Sequence, residues 1–297
     1  YNQGFILRQI RQIMKKIFFI FVLASMAWAK ILIVSSVAPV SFLAQKIGGE
    51  NVELHTLISA DAHNYEPKPS DMKIIAKADV FLAIGVEFER VWLEKFKANA
   101  KNLLITKLDE NITKIKQEHS HNHENDHDHD HDHESELDTH IWLDPLNAKI
   151  IAQNIANTLI KINAQNQKTY EQNLNALLNE LDELDNYAKT ELTGLKKRAF
   201  IVYHPAWGYF AKRYDLEQIS IEKNAKEPKI NELASIIKDA KKHGVSVIFT
   251  NPGYLGHSPQ VIASQIGAKI IQIDPLSNDY FNALKHAIKA FKDANSN

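Results

Sequence analysis

The sequence predicts an α/β protein with two lobes, each a mostly parallel sheet flanked by helices, joined by one long rigid helix. Short apolar, β-branched runs alternate with helical patterns from residue 31, and the same alternation returns from residue 198. Between these regions, residues 146–193 contain neither glycine nor proline. Strand–helix alternation is typical of a parallel sheet covered on both faces, and 297 residues suit two such lobes.

The first lobe is predicted from short runs rich in valine, isoleucine and leucine that are bounded by polar turns. We expect strands at 31–36, 52–58, 80–84 and 103–108. Helices are expected between them at 40–47, 70–78 and 88–98.

The middle of the chain predicts two consecutive helices. Asp144 and Pro145 form a suitable cap and first-turn pair for the first, and the polar cluster 163–167 separates it from the second. The second helix, over 164–193, would be about 45 Å long and would act as a stiff connector. Its apolar stripe comprises Tyr170, Leu174, Leu177, Leu178, Leu181 and Leu184.

The second lobe repeats the pattern, with strands expected at 198–203, 216–221, 246–250 and 269–274 and helices at 230–242, 259–266 and 278–294. The predicted organisation is therefore a leader (1–29), a first lobe (30–163) containing an acidic loop (118–138), the linking helix (164–193) and a second lobe (194–297).

The leader has the layout of a secretory signal peptide beginning at Met14. Two lysines precede an apolar run at 17–24, and Ala27-Trp28-Ala29 provides a cleavage site after Ala29. An amphipathic anchor is the alternative for this segment. The absence of cysteine excludes disulfides, thiolate metal sites and a lipid-modified cysteine. We therefore expect a protein that is exported to a bacterial periplasm and is not lipid-anchored. We also expect it to be a monomer.

The net charge is −1, and acidic residues are concentrated in the loop 118–138. The sequence has no block of basic residues of the kind that binds nucleic acid. Seven histidines alternate with acidic and polar residues there: His119, His121, His123, His127, His129, His131 and His133. We predict weak accessory metal sites in this histidine tract, because ordering a flexible loop around an ion costs conformational entropy. A solvated low-complexity loop without a specific role is the alternative.

Four other residues lie where a strand or loop ends and a helix is about to begin: His63, His140, His204 and Asp274. The carboxyl ends of strands are where α/β proteins place ligand-binding groups. Three imidazoles and one carboxylate would suit a tetrahedral zinc site. Each residue taken alone is equally compatible with a helix cap or a surface position.

The sequence does not favour an enzyme. It contains no Gly-x-Ser-x-Gly motif and no phosphate-binding glycine loop. Residues 123–127 match the metalloprotease pattern His-Glu-x-x-His, but the surrounding Asn, Asp and Ser disfavour the helix that this pattern needs. A zinc-dependent hydrolase at the four strand-end residues would require a general base, for which Glu66 is the nearest candidate in sequence.

Taken together, the motifs resemble those of zinc-specific solute-binding proteins of bacterial ABC importers, the periplasmic high-affinity zinc-uptake type. The resemblance covers essentially the whole chain after the leader. It rests on the histidine-acid loop and on residues 61–71 (DAHNYEPKPSD), 140–145 (HIWLDP), 203–210 (YHPAWGYF) and 273–276 (IDPL).

This resemblance implies that Zn²⁺ is the transported ligand and that it binds in the cleft between the lobes. It implies that His63 and His140 come from the first lobe and His204 and Asp274 from the second. It also implies a partner, the membrane permease of an importer with its cytoplasmic ATPase.

Manganese or iron binding within the same fold is the main alternative, and a metal-scavenging adhesin is another. Manganese binders that resemble this pattern typically carry a carboxylate at the position of His204, so the imidazole favours zinc. Ala62 stands where some zinc relatives have glutamate, which leaves Asp274 or a water as the fourth ligand.

Overall fold

The computed structural model describes residues 30–58, 65–117, 137–222, 226–254 and 256–295. They form two four-stranded parallel sheets flanked by helices, which confirms the predicted fold class. The predicted signal peptide, His63 and the seven histidines of the tract lie outside the described residues.

The first sheet has the strand order β2-β1-β3-β4, with β1 and β3 at its centre. Its strands are β1 (Ile31–Val37), β2 (Val52–Ile58), β3 (Val80–Ala83) and β4 (Leu104–Lys107). Helices α1 (Ala38–Gly48), α2 (Pro69–Ile75) and α3 (Glu87–Asn99) connect them. All four residues of β3 are buried, as expected of a central parallel strand covered on both faces.

The second sheet has the order β6-β5-β7-β8, which repeats the topology of the first. It contains β5 (Ala199–Val202), β6 (Glu217–Ser220), β7 (Val247–Thr250) and β8 (Lys269–Gln272). Its helices are α6 (Gly208–Arg213), α7 (Ile230–Lys242), α8 (Ser258–Ile266) and α9 (Tyr280–Asn295). The sequence did not predict α6, because six residues are too few to show a helical period.

Two helices, α4 (Pro145–Ile162) and α5 (Gln167–Leu192), lie between the sheets in the chain. The Asp144 carboxylate accepts a hydrogen bond from the Leu146 amide at 2.9 Å, which confirms the predicted cap. The apolar stripe of α5 is buried as predicted except at Leu178, which is partly buried. This stripe packs along α1, α4 and α9. The long helix that joins the two lobes is therefore part of the core.

One continuous hydrophobic core extends from the first sheet through α4 and α5 to one face of the second sheet. A smaller cluster covers the other face of the second sheet. Interiors packed in this way resist deformation, so we expect only small relative movement of the lobes.

Polar contacts at the junction join the segment before α4 to the second sheet's helices and loops. The Trp142 indole N–H donates to the Pro275 carbonyl at 2.8 Å, and the Tyr280 hydroxyl donates to the Trp142 carbonyl at 2.7 Å. The Arg213 guanidinium binds the Asp144 carboxylate, with Nη2 2.7 Å from Oδ2. These contacts set the position of the chain at residues 140–144 relative to the second lobe.

Across the ranges that the structure describes, no helix combines the length and the apolar character that crossing a membrane would require.

Candidate metal site at the lobe junction

His140 lies at the junction of the two lobes, immediately before a single 3₁₀ turn (Ile141–Leu143) that leads into α4. The Leu143 amide donates to the His140 carbonyl at 3.2 Å, which closes this turn. The side chain is almost completely buried, and its ring packs against the Trp142 indole at a centroid distance of 5.3 Å. A polar ring buried to this extent needs partners for both nitrogens.

His204 faces this ring from the second lobe. It follows β5, and its side chain is 12% exposed. The Nε2 atoms of His140 and His204 are 3.2 Å apart. Two nitrogen ligands at 2.0–2.1 Å in a tetrahedral zinc site would be separated by about 3.3 Å. The two rings therefore already have the spacing that two ligands of one zinc ion require.

Each ring is oriented by a carboxylate on its other nitrogen. His140 Nδ1 lies 2.8 Å from Asp138 Oδ1, and His204 Nδ1 is hydrogen-bonded to Glu222 Oε1. A carboxylate accepts the Nδ1 proton, so the Nε2 lone pair stays available for an incoming cation. Carboxylate–histidine pairs of this kind are the usual outer shell of a metal site.

Neither carboxylate was predicted as part of the site. Asp138 was included only as the last residue of the acidic loop, and Glu222 was not singled out. Glu222 lies two residues after β6, and β6 pairs directly with β5, the strand that precedes His204. The position of Glu222 at the carboxyl end of its strand was readable from the sequence, but its pairing with His204 depended on the strand order.

Asp274 follows β8, the edge strand on the far side of β7 from β5. Its Oδ1 accepts a hydrogen bond from the Leu276 amide at 2.9 Å. Pro275, the next residue, accepts the hydrogen bond from Trp142. The loop that contains Asp274 therefore contacts the segment that contains His140.

Within the described ranges, the structure does not bring three or more His, Asp or Glu side chains together as a complete metal cluster. Of the four predicted ligands, the structure brings together His140 and His204. His63 follows β2 in the sequence and lies outside the description.

A cavity of about 490 Å³ lies beside this junction, between α3, the end of β4 and residues 137–139. Asp138 and Glu89 both line it. Glu89 is buried and accepts hydrogen bonds from the Ile84 and Gly85 amides at 3.0 and 2.7 Å and from the Ser36 hydroxyl. Burial raises the pKa of Glu89 to about 7, although these hydrogen bonds act to lower it.

The raised pKa predicts a pH dependence of stability. Between pH 4.5, the ordinary pKa of this carboxyl, and about pH 7, the folded protein keeps a proton that the unfolded chain releases. The contribution of Glu89 to the free energy of unfolding therefore falls as pH rises through this window, by at most about 3 kcal/mol. We expect Glu89→Gln to remove this slope in urea unfolding measured from pH 4.5 to 8. Parallel pH profiles for the variant and the wild-type protein would contradict the assignment.

The two sheets of equal topology, the continuous core and the facing histidines define the class of protein, a two-lobed solute-binding protein for a metal ion. The family model described as ZnuA, zinc-uptake complex component A periplasmic, matches residues 33–294, and the chain belongs to this family.

Among relatives, the chain is 30% identical to the high-affinity zinc uptake system protein ZnuA of Bacillus subtilis (strain 168) over 284 residues, covering 89% of this chain and 88% of the relative. A crystal structure of ZnuA superimposes with a TM-score of 0.81 and 34% identity, covering 90% of this chain and 99% of that one. A ZnuA deletion mutant with zinc bound gives a TM-score of 0.80 at 34% identity, covering 90% and 98%. The family and fold are those of transport proteins that bind a substrate.

Proposed function

We propose that this protein captures Zn²⁺ at the junction of its lobes in the periplasm and delivers it to the permease of an ABC importer. The observation that carries the proposal is the His140–His204 pair, with Nε2 atoms 3.2 Å apart and a carboxylate on each Nδ1. The names of the Bacillus subtilis relative and of the zinc-bound neighbour support zinc as the ion.

The proposed ligands are His63, His140 and His204, with Asp274 or a water as the fourth. His63 follows β2 in the sequence, and β2 neighbours β1 in the first sheet. Three imidazoles suit zinc, whereas manganese prefers oxygen ligands. A shell rich in imidazole therefore favours zinc over manganese or iron in this fold.

Release of the ion follows from the division of ligands between lobes. His140 precedes α4, whereas His204 and Asp274 follow two strands of the second sheet. A small relative displacement of the lobes would lengthen the metal–nitrogen bonds on one side without unfolding either sheet. We propose that export removes residues 1–29. We further propose that docking on the permease, which works with a cytoplasmic ATPase, produces this displacement.

The histidine tract is proposed to be an accessory store of weakly bound zinc. The chain on either side of the undescribed segment 118–136 is joined by an antiparallel bridge between Lys116 and Leu137. Leu137 is three residues from His140 in the sequence. Leu137 is the first described residue after this segment, so we propose that zinc bound by the tract would raise the local zinc concentration near His140.

A competition titration of the purified chain tests the choice of metal and a growth assay tests the delivery. We expect zinc to displace manganese from one tight site. We expect His204→Ala to weaken zinc binding by more than roughly 100-fold, the largest effect typical of losing an outer-shell partner. Cells carrying His204→Ala should lose permease-dependent zinc uptake at low zinc.

His243→Ala is the matched control, because His243 is paired with Glu217 at 2.7 Å, away from the junction. Manganese affinity equal to that of zinc, or normal uptake with His204→Ala, would refute the proposal. Hydrolysis of a peptide or phosphoester panel would instead favour an enzyme, and binding to a host surface protein without uptake would favour an adhesin.

A further inference from the structure

The neck of the acidic loop, defined as residues 115–117 and 137–139, is held by one side chain of the second lobe. The Ile115 amide donates to the Tyr209 hydroxyl at 3.2 Å, and this hydroxyl donates to the Asp138 carbonyl at 3.0 Å. The Asp138 amide also donates to the Ile115 carbonyl at 2.9 Å. Tyr209, in the first turn of α6, therefore contacts both segments of the neck.

Tyr209 is suited to this role because it is buried and stays protonated. Its side chain is almost inaccessible to solvent, and burial raises the pKa of its hydroxyl to about 12. The O–H group is therefore a permanent donor at neutral pH. If it were lost, the Ile115 amide and the Asp138 carbonyl would each lack this partner in a region with little water.

The residue before Tyr209 lies close to the same carboxylate that orients His140. A Cβ at Gly208 would lie 2.6 Å from Asp138 Oδ2 and 3.4 Å from Ile115 Cδ1. The glycine is required here for space, because it lies in a regular helix. Asp138 Oδ1 meanwhile accepts from both the His140 amide and His140 Nδ1, each at 2.8 Å.

We infer that Gly208 and Tyr209 are positioning residues for His140. They fix Asp138 from the second lobe, and Asp138 fixes the tautomer and direction of the His140 ring. A contact from the second lobe therefore orients the His140 ring of the first lobe. The effect on zinc affinity rests on the proposed function, whereas the effect on the His140 ring does not.

His204 is an internal reference in the same molecule. Its carboxylate partner, Glu222, follows β6, and the Glu222 amide donates to the Tyr203 carbonyl at 3.1 Å. This pair lies entirely within the second lobe. A disturbance of the neck should therefore alter His140 and leave the tautomer of His204 unchanged.

The test uses the full chain without metal and records histidine tautomers from two-bond ¹H–¹⁵N NMR spectra. We expect His140 to be the Nδ1–H tautomer in the wild-type protein and a mixture in Tyr209→Phe and Gly208→Ala. Zinc affinity should fall by about 10- to 100-fold in both variants. Asp138→Asn, which keeps an acceptor oxygen, should retain more of the His140 signal than Asp138→Ala.

Tyr214→Phe is the matched control. Tyr214 is also buried, follows α6 directly and donates to Asp185 at 3.1 Å, so the variant loses one buried hydroxyl away from the neck. It should lose stability but keep the His140 tautomer and the zinc affinity of the wild-type protein.

The inference is wrong if Tyr209→Phe folds and its His140 tautomer is unchanged. Tyr209→Phe alone decides the test if Gly208→Ala does not fold. The proposed function fails separately, if the wild-type chain shows no tight zinc site. A shifted tautomer in Tyr209→Phe would support the positioning role even in that case.

Discussion

Changing His63, His140 and His204 together to alanine, with the histidine tract intact, is expected to abolish tight zinc binding. The three imidazoles are the proposed nitrogen ligands, and one carboxylate or water cannot replace them. The loss should exceed about 1000-fold, or about 4 kcal/mol of binding free energy. Zinc titration with a competing chelator measures it, and the weak equivalents assigned to the tract should remain.

Deletion of residues 119–133 is the complementary change. It removes the seven tract histidines but leaves Asp138 and the bridge between Lys116 and Leu137. We expect this variant to keep one tight zinc equivalent and to lose the weak ones. Tight binding that survives the triple substitution would refute the site at the junction, and unchanged total stoichiometry after the deletion would refute the accessory store.

Replacing Trp142 with alanine is expected to produce the largest loss of stability. The indole is fully buried, and its N–H donates to the Pro275 carbonyl across the lobe junction. Removing a buried tryptophan leaves a cavity and typically costs about 3–5 kcal/mol, and the Pro275 carbonyl would lose its partner as well. Guanidinium unfolding of the metal-free protein measures this loss.

Trp92→Ala is the matched control, because Trp92 lies on α3 and is only partly buried. It should destabilise the protein less than Trp142→Ala. Trp142→Phe should lie between the two, since it keeps most of the apolar contact and loses the hydrogen bond. An equal loss of stability in Trp142→Ala and Trp92→Ala would contradict the structural role of Trp142.

The sequence predicted the fold class and most elements because each lobe repeats strands and helices with clear apolar periods. The cap at Asp144 and the stripe of α5 were readable for the same reason, since both depend on residues close together in the chain. His140 and His204 were candidates because each lies where a strand or loop precedes a helix.

The sequence missed α6 and the contacts made by its first two residues. Gly208 and Tyr209 reach Asp138, about seventy positions earlier in the chain, and no local pattern encodes that approach. The same holds for Glu222, whose contact with His204 requires β6 to lie beside β5.

The sequence by itself thus determined the chemistry that the protein offers: nitrogen and oxygen ligands without thiols, arranged at the ends of secondary-structure elements. The tertiary structure decided which of them meet. It placed His140 and His204 3.2 Å apart and supplied a carboxylate for each ring. The physical reason is that apolar periodicity directs local folding, whereas distances between ligands depend on how two sheets pack across a shared core.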